Sequence, residues 1–446
     1  MSQAHLHLVR PDEDGSPPAT QSVAPAESSR DVVLDRYDRH VNRSLASLGR
    51  LMNLPVEVRS AGTRVYDADG TEYLDCGGFG VFLLGHAHPT VVQTVTRQLA
   101  DNALATRLFL NPELAAAAEE LVSVSPAGLD YAFLTNSGAE AVEVALKLAR
   151  LAGKTRLIST VGGFHGKTFG ALSVTGRPSY REPFEPLLPE VHFVPYGDAA
   201  ALRDVLAVDG HRSAVVLEPV QAEGGVCLPP AGYLRAVRGA CDEVGAMLIL
   251  DEIQTGFGRL GTWWGAEAEQ VVPDVLLAGK ILSGGVIPVG AVIASEAAFA
   301  PLNADPMLHS STFAGSPLAA SAVRATIAAM RQDDLVNRSK VLGELVLELA
   351  RSAVLTHCPH LVTEVRGRGL LLGIEFVSSD IAADFMMSLL EHRVLPSYSL
   401  NANSVLRLTP PALLDEEDLR WLAEALDAAA CELADAVPAL TALPSS

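Results

Sequence analysis

The sequence predicts an α/β fold, with a large domain built on a mostly parallel sheet and a smaller α+β domain beside it. Three observations carry that prediction. Short, continuously apolar runs alternate with helical patterns from about residue 130 to 280, the mark of strands buried on both faces. Beyond about Pro317 the pattern changes to two long amphipathic helices, short strands and a closing helix. The composition, 49% hydrophobic against 19% charged over 446 residues, supplies enough apolar surface for such cores and excludes bulk disorder.

Taken in order, residues 1–30 are rich in Ser, Pro, Ala and acidic side chains without an apolar period, and are expected to form a disordered, mobile tail. Residues 31–85 are expected to supply the N-terminal part of the smaller domain. Within them Val65–Asp75 (VYDADGTEYLD) places an Asp-Gly turn between two short strands. Residues 86–316 form the large domain. There Asp130–Thr135 leads into a helix over Ala139–Leu151, followed by the runs Arg156–Thr160 and Ser213–Glu218. A helix near Ala231–Val244 and the runs Met247–Leu250 and Asp274–Ala278 come next. Residues 317–446 complete the smaller domain with strands at Leu370–Phe376 and Val405–Leu408 and a helix over Glu416–Leu433. In a parallel sheet of this kind, chemistry gathers at the carboxyl ends of the strands.

Charge and cysteine usage narrow the function. Lys+Arg 33 against Asp+Glu 53 gives −20, which speaks against a phosphate-backbone partner. No apolar run reaches the ~18 residues of a membrane span, and the opening MSQAHLHLVRPDEDG lacks the apolar core of an export signal. The five cysteines are odd in number, scattered and without CxxC spacing, which fits a reducing compartment and neither a disulfide frame nor a structural metal site. A cytoplasmic protein free of membrane and nucleic acid is expected.

Four segments carry candidate chemistry. Thr135-Asn136-Ser137-Gly138-Ala139-Glu140 follows a strand and opens a helix, so its small residues and the helix dipole suit a phosphate; Ser137-x-x-Glu140 reads equally as a capping box. Gly162-Gly163-Phe164-His165-Gly166 holds an aromatic ring among glycines, either as a stacking platform for a planar group or as an ordinary turn. Asp251 ends an apolar strand, and a buried carboxylate there needs a partner such as a protonated ring nitrogen, or else caps the turn. Lys280, one of only five lysines, follows the apolar run Asp274–Ala278 amid glycines; an apolar pocket lowers a lysine's pKa and lets it form a Schiff base. Together the four match the chemical handles of pyridoxal phosphate.

From about Asp35 to the last helix the chain resembles the class III (ω-)aminotransferases. These are pyridoxal 5'-phosphate (PLP) enzymes of fold type I, the aspartate-aminotransferase-like fold. The resemblance rests on GTRVYDADGTEYLD, GHAHP, NSGAEA, GFHGKT, EPVQAEGG, LDEIQTGFGR, AGKILSGG, HSSTFAGSP, RGRGLLLGIEF and LRLTPP in that order. Within the family, GGFGVF at Gly77–Phe82, the Phe164 turn and the closing LRLTPP look most like putrescine (polyamine) aminotransferases.

The resemblance implies roles. Lys280 would be the Schiff-base lysine and proton shuttle, and Asp251 would pair with the pyridine nitrogen. Gln254 would sit by the phenolic oxygen, with Phe164 stacked on the ring. Ser137, Gly138 and Ala139 would hold the phosphate, with Thr312 reaching it from the second subunit of a homodimer; His165 and Glu218 would complete the cofactor site. Arg407 would take a substrate carboxylate, and Glu223 would neutralise that arginine when the substrate has none. Ala222, Ala314 and Ser316 depart from the family's usual glycines and asparagine by small-for-small changes. Arg107 stands where the putrescine enzymes carry a glutamine, and a cation there would repel a diamine and attract an anionic group. The expected reaction moves a terminal amino group between a primary amine and an oxo acid, 2-oxoglutarate or pyruvate. An ornithine or acetylornithine donor is the alternative, as is amination of an aldehyde in a biosynthetic pathway.

Overall fold

Seven strands form the central sheet: β1 (Tyr131–Thr135), β2 (Arg156–Thr160), β3 (Val191–Val194), β4 (Ser213–Leu217), β5 (Met247–Asp251), β6 (Val275–Ala278) and β7 (Gly290–Ala294). Their order is β1-β7-β6-β5-β4-β2-β3. The β6-β5-β4-β2-β3 run is parallel, while β7 is antiparallel to both neighbours. Strands β2, β4, β5, β6 and β7 are buried along their whole length. This explains why they read as continuous apolar runs rather than alternating ones.

These strands belong to a computed structural model that describes residues 29–106 and 108–437. Apart from Ser29 and Arg30, the expected N-terminal tail lies outside the described residues, as does Arg107. Backbone contacts divide the chain into two units, residues 1–60 with 65–72, and residues 61–64 with 73–446. The described part of the first unit holds helices Arg30–Arg36 and Arg43–Leu51. The Asn42 side chain caps the second by accepting from the Leu45 N–H at 3.0 Å. The Asp-Gly turn is present: Asp67 Oδ1 accepts from the N–H groups of Asp69 (3.0 Å) and Thr71 (2.8 Å), an Asx turn.

The second unit carries the central sheet, two long helices, Pro317–Gln332 and Leu335–His357, and an antiparallel sheet of β8 (Val362–Arg368), β9 (Leu371–Phe376), β10 (Ser397–Ser399) and β11 (Ala402–Leu408) in the order β8-β9-β11-β10. The closing helix, Glu416–Ala436, starts at a full capping box between Asp415 and Asp418. Among the described residues no helix is long and apolar enough to cross a membrane.

Candidate active site

Because β2, β4, β5 and β6 run parallel, their carboxyl ends deliver side chains to one edge of the sheet: the turn after Thr160, Glu218 after Leu217, Asp251 at the end of β5, and Lys280 two residues past Ala278. There they line one cavity with Gly138, Ala139, Phe164, His165, Glu223 and Gln254.

Asp251 is buried, and its Oδ2 lies 2.7 Å from His165 Nδ1, while Oδ1 accepts from the Ile253 N–H at 3.1 Å. Burial alone would depress the imidazole's pKa. The hydrogen bond and charge of Asp251, with the charge of Glu218, outweigh it, so the pKa of His165 rises. Sequence reasoning set His165 in the site by resemblance but did not find this pair. A histidine between glycines in an otherwise apolar turn was the available signal. Glu218 accepts from the N–H groups of Phe164 (3.0 Å) and Ala222 (3.2 Å). Its pKa is pushed up to about 7 by burial, with His165 opposing.

Lys280 takes φ +46°, in the left-handed region that costs a non-glycine residue about 1–2 kcal/mol. Strain of that kind persists where the surroundings fix it, as at sites of chemistry. Burial lowers the pKa of Lys280; Glu223 opposes that shift and Arg407 adds to it. An amine held below its ordinary pKa is more often neutral, hence nucleophilic and able to carry a proton.

Ser137 caps the helix Gly138–Leu151, its Oγ accepting from the Glu140 N–H at 3.2 Å. The Glu140 carboxylate, however, reaches the N–H of Asn136 at 2.8 Å rather than that of Ser137, so the capping box is only half formed. The N–H groups of Gly138 and Ala139 stand in the first helical turn, where no intrahelical acceptor exists, and both residues line the cavity. A Cβ on Gly138 would lie 2.8 Å from Ile253 Cδ1, so only glycine lets the turn approach this closely.

Gln254 is 5% exposed, yet among the described residues neither atom of its amide has a hydrogen-bond partner. A Cβ on Gly80 (φ +72°) would collide with that amide. Two unpartnered polar atoms at the wall of a polar cavity fit an oxygen-bearing ligand, since a buried amide left unpaired costs ~1–3 kcal/mol. With an acid paired to an imidazole, an amine and a free helix start around them, the residues fit pyridoxal phosphate.

Arg407 projects from β11 and is 1% exposed. Its Nη1 lies 2.8 Å from Glu223 Oε1, but the alignment is not that of a hydrogen bond. Nε donates to Ser397 Oγ at 3.4 Å. A second guanidinium, Arg259, is fully buried without a carboxylate partner among the described residues. It donates to the carbonyls of Leu370 (3.0 Å), Pro410 (2.9 Å) and Gly80 (3.3 Å). Burial first, then Arg407, pushes its pKa down to about 9. Sequence reading did not single out Arg259. Thr312 is exposed and does not line the cavity of its own chain. Its neighbour Ser311 accepts from Asn136 Nδ2 at 2.8 Å, which sets the segment beside the helix start.

Glu252, next to Asp251, accepts from the N–H groups of Gly265 and Ala266, each at 2.8 Å, and from the Thr255 hydroxyl. Burial pushes its pKa from 4.5 to about 7. A folded-state pKa above the unfolded value means that the native state binds the proton more tightly. The resulting stability is present below pH 4.5 and is lost as pH rises through 7. The stability of Glu252→Gln relative to the wild type is therefore expected to increase between pH 5 and pH 8, by about 1–3 kcal/mol. Urea denaturation at several pH values checks this: the pH slope of the difference is diagnostic, and a flat difference would refute it.

A class of protein follows from this arrangement: a fold-type-I enzyme with a lysine, an acid paired to an imidazole and a helix start at one sheet edge. The class-III aminotransferase model matches residues 49–430, and the chain belongs to that family; it is a PLP-dependent aminotransferase. Among solved structures it is similar to ornithine aminotransferase from Toxoplasma gondii. The two are 29% identical with a TM-score of 0.84, over 92% of this chain and 96% of the other. It is also similar to acetylornithine aminotransferase from Elizabethkingia anophelis, at 29% identity and a TM-score of 0.77 over 90% and 99% of the two chains. An (S)-enantioselective omega-transaminase from Thermomicrobium roseum is 26% identical with a TM-score of 0.84 over 91% and 99%.

Proposed function

We propose that the chain moves a terminal amino group between a primary amine, putrescine or a close diamine, and an oxo acid such as 2-oxoglutarate, in two alternating half-reactions. The observation that carries this reading is the Arg407–Glu223 pair at 2.8 Å beside Lys280. A cation that meets its own internal acid can serve substrates with and without a carboxylate. With a bare amine in the site, Glu223 stays on Arg407 and no buried charge is left unpaired. With an oxo acid, the substrate's carboxylate replaces Glu223 and takes the guanidinium in a bidentate pair.

When bound, the cofactor supplies an electron-poor ring that withdraws charge from the substrate's reacting carbon. The residues do the rest. Lys280 Nζ, its pKa lowered by burial, accepts and returns the proton at that carbon. Asp251, fixed by His165, holds a proton on the ring nitrogen. The Gln254 amide would donate to the phenolic oxygen, Phe164 would cover a ring face, and Ser137, Gly138 and Ala139 would hold the phosphate. In this reading Thr312 reaches the phosphate of a second copy, which makes the active form a homodimer. Glu218 orients the Phe164 turn through its backbone. The enzyme works in the cytoplasm.

An ornithine- or acetylornithine-type donor is the second reading, favoured by the likeness to those two aminotransferases. Mixing the holoenzyme with putrescine, ornithine, acetylornithine or glutamate, without an oxo acid, separates the readings. The donor that bleaches the visible cofactor band in one turnover is a substrate. Arg407→Ala is expected to slow the oxo-acid half-reaction roughly 10²-fold or more and the amine half-reaction only a few-fold. Equal losses in both would remove the exchange between Glu223 and the oxo acid.

A further inference from the structure

The exchange proposed for Glu223 leaves open what holds the carboxylate on Arg407. Its loop is anchored at several backbone groups. Arg366, itself ion-paired to Glu364 and Glu375, donates to the carbonyl of Gly225 at 2.6 Å and to that of Val226 at 3.1 Å. The Asn401 N–H fixes the carbonyl of Glu223 itself at 2.9 Å. The backbone around Glu223 is thereby tied at three carbonyls, while its side chain bridges two partners. Its Oε1 faces Arg407, and its Oε2 accepts from the N–H of Leu400 at 2.9 Å.

Leu400 and Asn401 are the two-residue turn between β10 and β11, with Ser399 paired to Ala402 across it. One hairpin therefore presents both the cation and the N–H that holds the cation's counter-ion. The turn is fastened from outside. The Tyr180 hydroxyl donates to the Leu400 carbonyl at 3.1 Å, and Asn401 Nδ2 donates to the carbonyl of Gly162 at 2.9 Å, in the turn that carries Phe164.

We propose that the Leu400 N–H is the catch of this gate: with Tyr180 as a positioning residue behind it, it sets how firmly Glu223 covers Arg407 and so how well the enzyme accepts carboxylate-bearing substrates. This rests on the reading of Arg407 and Glu223 given above. An anion binds only the fraction of molecules in which Glu223 has left, so its apparent affinity is its intrinsic affinity scaled by that fraction. A hydrogen bond to a charged group is among the stronger kinds, so removing it shifts the fraction by roughly tenfold. Loss of the Tyr180 hydroxyl loosens the turn only indirectly and shifts it by about threefold.

Leu400→Pro removes this N–H directly. Neither turn residue has a positive φ, proline suits the first central position of a type I turn, and the preceding Ser399 is in a strand. The holoenzymes of wild type, Leu400→Pro, Tyr180→Phe, Glu223→Gln and Arg407→Ala are titrated with glutarate, an unreactive dicarboxylate, by calorimetry, and KM for 2-oxoglutarate is measured beside it. Roughly tenfold tighter glutarate in Leu400→Pro is expected, with about threefold in Tyr180→Phe. KM for the oxo acid should fall in parallel while kcat with the amine holds. If Glu223→Gln tightens glutarate but Leu400→Pro and Tyr180→Phe do not, the catch is refuted and the gate stands. Weaker glutarate in Leu400→Pro would make the N–H part of the anion site itself and also refute it. If neither Glu223→Gln nor Arg407→Ala moves glutarate, the gate falls and the catch with it. Should Leu400→Pro not fold, Tyr180→Phe decides alone.

Discussion

Replacing Lys280 with alanine is expected to lower turnover by roughly 10³-fold or more, because in the proposed reaction the same amine both joins the cofactor and carries the proton in each half-reaction. Stability should hold, since the change takes away a buried amine and a strained residue keeps its backbone conformation either way. The visible spectrum gives a second, independent readout. Purified Lys280→Ala is expected to lose the band of lysine-linked cofactor while still retaining cofactor through the Gly138–Ala139 helix start. A variant that keeps both the band and a rate within tenfold of wild type would remove Lys280 from the chemistry.

Asp251→Asn should be the next most damaging change. Asparagine preserves the shape and the hydrogen bond from the Ile253 N–H, but it removes the charge proposed to hold a proton on a ring nitrogen. A loss of about 10²–10³-fold in kcat is expected, the size of a preorganised electrostatic contact. Without its carboxylate partner, buried at 2.7 Å, His165 should also lose the raised pKa it has in the native protein. Proton NMR of the imidazole would show titration at lower pH in the variant. A rate change without that shift would mean that the effect of Asp251 does not pass through His165.

Much of this architecture was legible in the sequence because burial writes itself into it. The runs Arg156–Thr160, Ser213–Glu218, Met247–Leu250 and Asp274–Ala278 stand within one residue of β2, β4, β5 and β6, since a strand covered on both faces has no polar position to spare. Strand β3 was missed: VHFV is only partly buried, at the sheet edge, and is too short for a pattern. Strand β7 was missed because GAVIA follows a glycine-rich stretch that reads as loop, and its reversed direction has no local signature. Within the site, single-residue chemistry was visible and pairings were not. Asp251 and His165 are 86 residues apart, and the N–H of Leu400 meets Glu223 across 177. Backbone donors have no letter in a sequence, so a contact like the one at Leu400 can be seen only once the chain is folded.

Arg259 has a consequence for how the protein is made. Its guanidinium finds its acceptors at Gly80, Leu370 and Pro410, although the last strand of the central sheet ends at Ala294. A chain still on the ribosome can complete that sheet well before two of those three carbonyls, Leu370 and Pro410, have been synthesised. Arg407 likewise emerges near the end. Chains are synthesised at ~5–20 residues per second, so the interval between a finished sheet and a finished site is on the order of ten seconds. Throughout it Arg259 lacks two of its three acceptors, and the strand that carries Arg407 is not yet complete.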